Sequence, residues 1–139
     1  MSYSDSSASL RQISCANTTH SAVNENPTGA VQSFSINING ALSGPTDTVG
    51  TGGNGPAFCA QLSNGKVAAV NFGSGDGSFT STSSDGTLVQ QPTSYITFPK
   101  PSYPPPKNVS NPHMVLEHNN EVFVPDLVSV VIYLWPFGC

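Results

Sequence analysis

NPHMVLEHNNEVFVPDL, residues 111–127, sets one ionisable side chain at the head of two well-patterned apolar runs. Read as β-structure, it predicts a short strand over 114–116, a polar turn over 117–120 and a second strand over 122–127. His113 then lies at the mouth of the first strand. An imidazole there can serve catalysis or ligand binding, held by a rigid sheet beside a loop. It can equally be a histidine that packs or hydrogen-bonds at a strand end.

Upstream, the same order of signals occurs twice more. Asn24, a Gly/Pro turn, an alternating strand around Phe34 and the turn Asn39-Gly40 are answered by Asn71, GSGDG, a strand around Phe79 and Asp85-Gly86. The asparagines lie 47 residues apart (24 to 71) and the turns 46 (39 to 85), so the two copies keep register. A third, partial copy starts at Pro112 and answers Pro56, with Asp126 opposite Asn71 at a spacing of 55 (71 to 126). Repeats of about 40 to 50 residues with several short strands each predict propeller blades. The predicted class is all-β, with about three blades in an incomplete propeller, since closed propellers use about 4 to 8. Either the chain is a fragment of a longer propeller, or it buries the remaining blade faces by self-association or by a different packing.

Composition points the same way. Only 9% of the 139 residues are charged, while Gly (13) and Pro (12) are abundant, which favours turns and short strands over helices. Residues 1–16 are Ser-rich and poor in large apolar groups, so they read as a mobile tail preceding a propeller region over 17–139. Within that region 90–112 reads as a Pro-rich loop. Its Tyr95, Phe98 and Tyr103 either form a recognition surface or pack the loop onto its own domain. The apolar end, VSVVIYLWPFGC, predicts a buried strand over 128–135, an aggregation hazard if left uncovered.

Several function classes are excluded. A net charge of −4 with Arg11, Lys66, Lys100 and Lys107 scattered gives no basic patch for nucleic acid. No apolar run approaches the roughly 20 residues that span a bilayer, so no membrane partner is expected. The start MSYSDSSASLRQ has neither a basic nor an apolar leader region, and Cys15, Cys59 and Cys139 show no CxxC spacing. Free thiols in a reducing, cytoplasmic setting follow. His20, His113 and His118 are too scattered for a metal site, the serines lie in no GxSxG elbow, and the glycine-rich runs TVGTGGNGP and FGSGDGS match no phosphate loop. The expected cofactor and metal content is none. His118 and His20 are expected to be solvated.

The runs GNGPAFCAQLSNGKVAAVNFGSGDGSF with DGTL, and NPHMVLEHNNEVFVPDL, resemble the lactonase family of seven-bladed β-propellers, which includes fungal carboxy-muconate cycloisomerase and bacterial 6-phosphogluconolactonase. SAVNE with GAVQSFSI resembles the preceding blade, so the likeness covers residues 21–127. It implies that His113, at the family's P-H position, is a catalytic residue near the central channel, acting on a lactone or a carboxylated muconate-type substrate. The partner glutamate and arginines of the family come from later blades; Glu117, Glu121 and Arg11 do not fall on those motifs. Val128-Ser129-Val130-Val131 departs from the family pattern. Two functions therefore stand side by side: a truncated lactonase or cycloisomerase with weak or no activity alone, and a noncatalytic propeller fragment that binds or interacts.

Overall fold

The computed structural model describes residues 10–16, 19–84, 86–100, 109–128 and 131–135. Every regular element among them is a strand: β1 (Leu10–Ala16), β2 (Thr19–Asn24), β3 (Ala30–Ile36), β4 (Leu42–Gly50), β5 (Pro56–Gln61), β6 (Lys66–Asn71), β7 (Asp76–Thr82), β8 (Leu88–Thr97), β9 (Leu116–His118), β10 (Glu121–Pro125) and β11 (Ile132–Trp135). They form three antiparallel sheets in the orders β1-β2-β3-β4, β5-β6-β7-β8 and β9-β10-β11. These are the blades that the repeat predicts. Among the described residues no helix is long and apolar enough to cross a membrane.

The middle sheet explains the stacking. Along β6 the alternation of a pleated strand sends Val67 and Ala69 to one side and Ala68 and Val70 to the other, yet all four are buried. Val67 and Ala69 join Val23, Val31, Val49, Cys59 and Leu88 in a core against the first sheet. Ala68 and Val70 join Phe79, Phe98, Val122, Val124 and Trp135 in a second core against the third. Trp135 stacks on Phe79 with centroids 4.0 Å apart and meets Phe98 edge-on at 5.8 Å. Gly77 admits that indole: a Cβ there would stand 2.9 Å from both the Trp135 ring and the Ala69 carbonyl oxygen.

The structure moves several predicted boundaries. Leu10–Ala16 forms an edge strand, β1, paired with β2 through the backbone. Residues 1–9 lie outside the described set. Order in β1 also leaves His20 half-buried, between Cys15 and Phe34 in the ladder, rather than solvated. The loop expected from 90 starts later, since β8 runs to Thr97. Pro92 lies on β8, the edge strand of its sheet, at a register irregularity opposite Thr80, the setting in which a sheet accepts proline. Phe98 is buried and stacks on Tyr133 at 5.0 Å, so this aromatic packs the segment onto its own domain. Tyr103 and the prolines at 104–106 lie outside the described residues. The two ends of that segment are pinned together: Ser110 Oγ donates to the Pro99 carbonyl at 3.1 Å, and the Tyr133 hydroxyl donates to the same oxygen at 3.0 Å.

In the opening stretch the strand takes in Glu117 and His118, and the turn shrinks to Asn119-Asn120. Both asparagines have positive φ (49° and 62°), the conformation of a tight two-residue hairpin turn whose twist matches the flanking strands. Glu117 is drawn in by the neighbouring blade, accepting hydrogen bonds from the Ser63 N–H at 2.7 Å and the Ser63 hydroxyl at 2.5 Å. The terminal apolar strand is shorter than the predicted 128–135, covering Ile132–Trp135.

Two outcomes test this packing. Gly77→Ala should cost about 1–3 kcal/mol in urea unfolding through overpacking, with the emission of the single tryptophan, Trp135, altered in the folded state. Burial in the first core pushes the Cys59 thiol up to about 12 from 9.0. Its folded state therefore holds a proton that the unfolded chain releases, so stability present below pH 9 falls as pH rises towards 12. Replacing Cys59 by Ala should flatten that slope in unfolding curves taken across the window.

Candidate functional site

The third blade is attached by a carboxylate. Asp126, buried at the end of β10, accepts from the Asn111 N–H at 2.6 Å through Oδ2 and from the Val128 N–H at 2.9 Å through Oδ1. Pro112 forms a bridge with Asp126, and the backbone N–H of His113 donates to the Pro125 carbonyl at 3.1 Å. The segment preceding β9 is thus laid against the end of β10 before the sheet proper begins. The Asn111 side chain donates across to the Phe72 carbonyl of the middle blade at 3.0 Å. Charge-assisted bonds from backbone N–H groups to a carboxylate are among the stronger ones, and here they tie the backbone two residues before the imidazole to the turn after β10.

The repeat is visible in these bonds. The Leu127 N–H donates to the Asn111 carbonyl at 2.9 Å, as one repeat earlier the Phe72 N–H donates to the Gly55 carbonyl at 2.9 Å. Asn71 occupies the place of Asp126 but works differently. Its Nδ2 donates to Asp76 Oδ1 at 2.5 Å and to the Thr51 carbonyl at 3.5 Å. Its Oδ1 is buried without a hydrogen-bond partner, as is that of Asn24 in the first blade.

A cavity of about 390 Å³ opens at this end of the sheets, lined by Glu25, Asn54, Gly55, Ala57, Phe72, Gly73, His113 and Leu127. Glu25, Phe72 and Leu127 each follow the repeat residue Asn24, Asn71 or Asp126. Ala57 and His113 each follow the repeat prolines Pro56 and Pro112. Equivalent positions of three successive sheets meet at one place only where the sheets turn about a common axis. The cavity therefore sits at the mouth of that axis, with a half-buried imidazole in its wall.

His113 stands edge-on to Phe72, with ring centroids 5.8 Å apart and planes at 87°. That contact and its own backbone bond orient the ring towards the middle blade. Gly73 lets the adjoining loops close under the cavity, where its N–H donates to the Asn54 carbonyl at 3.0 Å and a Cβ would stand 2.9 Å from that oxygen. Among the described lining residues the chargeable groups are Glu25 and His113, and none is Lys or Arg. An imidazole there can exchange a proton with a bound molecule, while neutralising an anion needs groups from elsewhere. His118 lies apart, exposed at the end of β9 and bonded to the Asn119 side chain at 3.0 Å. Among the described residues no three His, Cys, Asp or Glu side chains gather as a metal site.

Sequence reasoning singled out His113 and missed Glu25, Asn54 and Phe72. The repeat phase carried the signal, since the residue after each Asn or Asp of the repeat lines the cavity. Replacing Asp126 by Ala leaves the buried Asn111 N–H unpartnered. It should lower stability by about 1–3 kcal/mol, read as a lower urea midpoint at unchanged slope.

A family described as "Lactonase, 7-bladed beta-propeller" matches residues 6–138. No curated protein sequence matches the chain. Its fold is similar to a Bacteroides uniformis protein provisionally named 6-phosphogluconolactonase, at TM-score 0.75 and 20% identity over 87% of this chain and 36% of the other. A Bacteroides fragilis protein with the same provisional name gives 0.73 and 20% over 84% and 34%. A Lactobacillus plantarum protein gives 0.71 and 19% over 89% and 36%. The chain thus spans about a third of the length of these structures.

Proposed function

The chain belongs to the lactonase family of seven-bladed β-propellers, and from that premise we propose that its axial cavity is the acid–base sector of a site that opens or closes lactones, with His113 as the catalytic residue. The observation that carries this reading is the meeting of repeat-equivalent positions around His113 in a cavity of about 390 Å³. In the opening direction the imidazole takes a proton from a water as its oxygen adds to the lactone carbonyl. It then returns that proton to the ring oxygen as the C–O bond breaks, leaving a hydroxy acid. In the closing direction the protonated imidazole gives a proton to one carbon of a muconate-type double bond as the substrate carboxylate adds to the other carbon, the π bond being replaced by the new C–O and C–H bonds. Histidine suits both, because its charge changes between about pH 5 and 8.

The oxyanion that develops in either direction needs donors or cations aimed at it. The lining residues provide no Lys or Arg. In this reading the chain by itself is a slow catalyst, with the proton-transfer group present and no cationic clamp among the described lining residues. A cytoplasmic setting fits the free Cys59 thiol.

Assays of the purified chain with a sugar-acid lactone and a carboxylated cis,cis-muconate test the reading. Turnover should be slow with one of the two, and His113→Ala should reduce it about 10²-fold or more. Equal turnover by both proteins, or none by either, would leave the cavity as a binding site without chemistry.

A further inference from the structure

A second cavity, of about 640 Å³, lies between the first two blades. Its walls are the turn before β3, the end of β4, the connecting loop over 52–54 and the turn between β6 and β7. Asn54 lines both cavities, whereas His113 lines only the axial one. The loop over 52–54 thus separates two spaces, and the mechanism proposed for His113 uses none of the side chains in the second.

The polar part of this cavity is built under Gly53. A Cβ there would overlap the Asn71 amide and the Asp76 carboxylate and stand 2.5 Å from the Ser74 hydroxyl. Glycine leaves Asp76 and Ser74 side by side in the wall. Asp76 Oδ1 accepts from Asn71 Nδ2 at 2.5 Å, and because Asn71 is fully buried this bond fixes the carboxylate. Among the described residues it is the one hydrogen bond of the Asp76 side chain, so Oδ2 is left to accept from a ligand. Ser74 Oγ accepts from the Asn54 N–H at 2.8 Å, which leaves its own proton to donate.

An acceptor beside a donor selects the chemistry of the ligand. A vicinal diol answers both, one hydroxyl giving its proton to the carboxylate while its neighbour takes the proton of the serine. An ammonium group has donors only and a carboxylate acceptors only, so each meets half of the pair. Around these groups the wall is apolar, with Pro27, Ala30 and glycine Cα atoms, the mixture that holds the carbon face of a small ligand while a few polar groups orient it. At the rim stands an aromatic ring. Tyr95 is 60% exposed and lies against Gly52, where a Cβ would overlap it. Of the aromatics in its segment Phe98 packs inward, while Tyr95 offers its face beside this cavity.

We propose that the cavity between the first two blades binds a neutral polyhydroxylated ligand of pyranose size, with Asp76 and Ser74 holding a vicinal diol. The proposal is independent of the chemistry assigned to His113. Two polar anchors and an open rim make the binding weak, with a dissociation constant on the order of millimolar.

A nuclear magnetic resonance titration of the isotope-labelled whole chain with methyl glucoside tests it, with ethylammonium and acetate as comparison probes. Saturable shifts of the Gly29 and Gly53 amide signals are expected with the glucoside alone. Asp76→Asn keeps an oxygen for Asn71 and replaces the free one by an amide N–H, so binding should weaken about 10-fold or more. Ser74→Ala should weaken it as well, and His113→Ala should leave it unchanged. Trp135 emission and the urea midpoint report that each variant remains folded. Absence of saturable shifts with the glucoside overturns the proposal, as does binding indifferent to both Asp76→Asn and Ser74→Ala. Tighter binding of ethylammonium overturns the diol assignment, and loss of glucoside binding in His113→Ala overturns the location by placing the sugar in the axial cavity.

Discussion

The burial of β6 on both faces is the constraint from which the rest of the architecture follows. Val67, Ala68, Ala69 and Val70 give solvent nothing, so the middle sheet can exist only with a sheet on either side. Fully burying one valine is worth about 1.5–3 kcal/mol, and the two cores collect such contributions from opposite sides of one strand. The small side chains of Ala68 and Ala69 are part of the same solution. They let neighbouring sheets approach, and Gly77 on the next strand makes room for the Trp135 ring. The middle blade is consequently unable to unfold while its neighbours stay intact.

Much of this was legible in the order of residues, for identifiable reasons. Turn signals and alternation are local properties, and the strands around Phe34 and Phe79 follow them. The repeat spacing of Asn24, Asn71 and Asp126 located the blades because Asn24 and Asn71 end the second strand of their sheets and Asp126 immediately follows that of the third. Edges were harder to read. The sequence LRQISCA of β1 carries no apolar alternation, since an edge strand can be held by backbone bonds to a single neighbour. Glu117 looked like a turn residue until Ser63, 54 positions away, supplied its partners. Pairing across such a distance leaves no trace in the local pattern.

The site shows the same division. His113 stood out because it is titratable and opens a strand. Glu25 and Phe72 become notable only once three sheets place equivalent positions around one cavity. The imidazole is set by its contact with Phe72 and its bond to Pro125, and Asp126 holds the backbone two residues before it. In the middle blade the equivalent asparagine spends its amide on Asp76 and Thr51. One scaffold position thus does two jobs, bracing one blade and presenting chemistry in the next.

The pinning of Pro99 to Ser110 and Tyr133 has a wider consequence. With the two ends of the crossover fastened to each other, changes in the length between them are not transmitted to the strands on either side. The cost of a longer loop rises only with the logarithm of its length. This accounts for a third repeat spaced at 55 where the second is at 47. It also marks the crossover as the place where relatives can gain or lose residues, and where a reporter peptide can be spliced in, while the sheets keep their register.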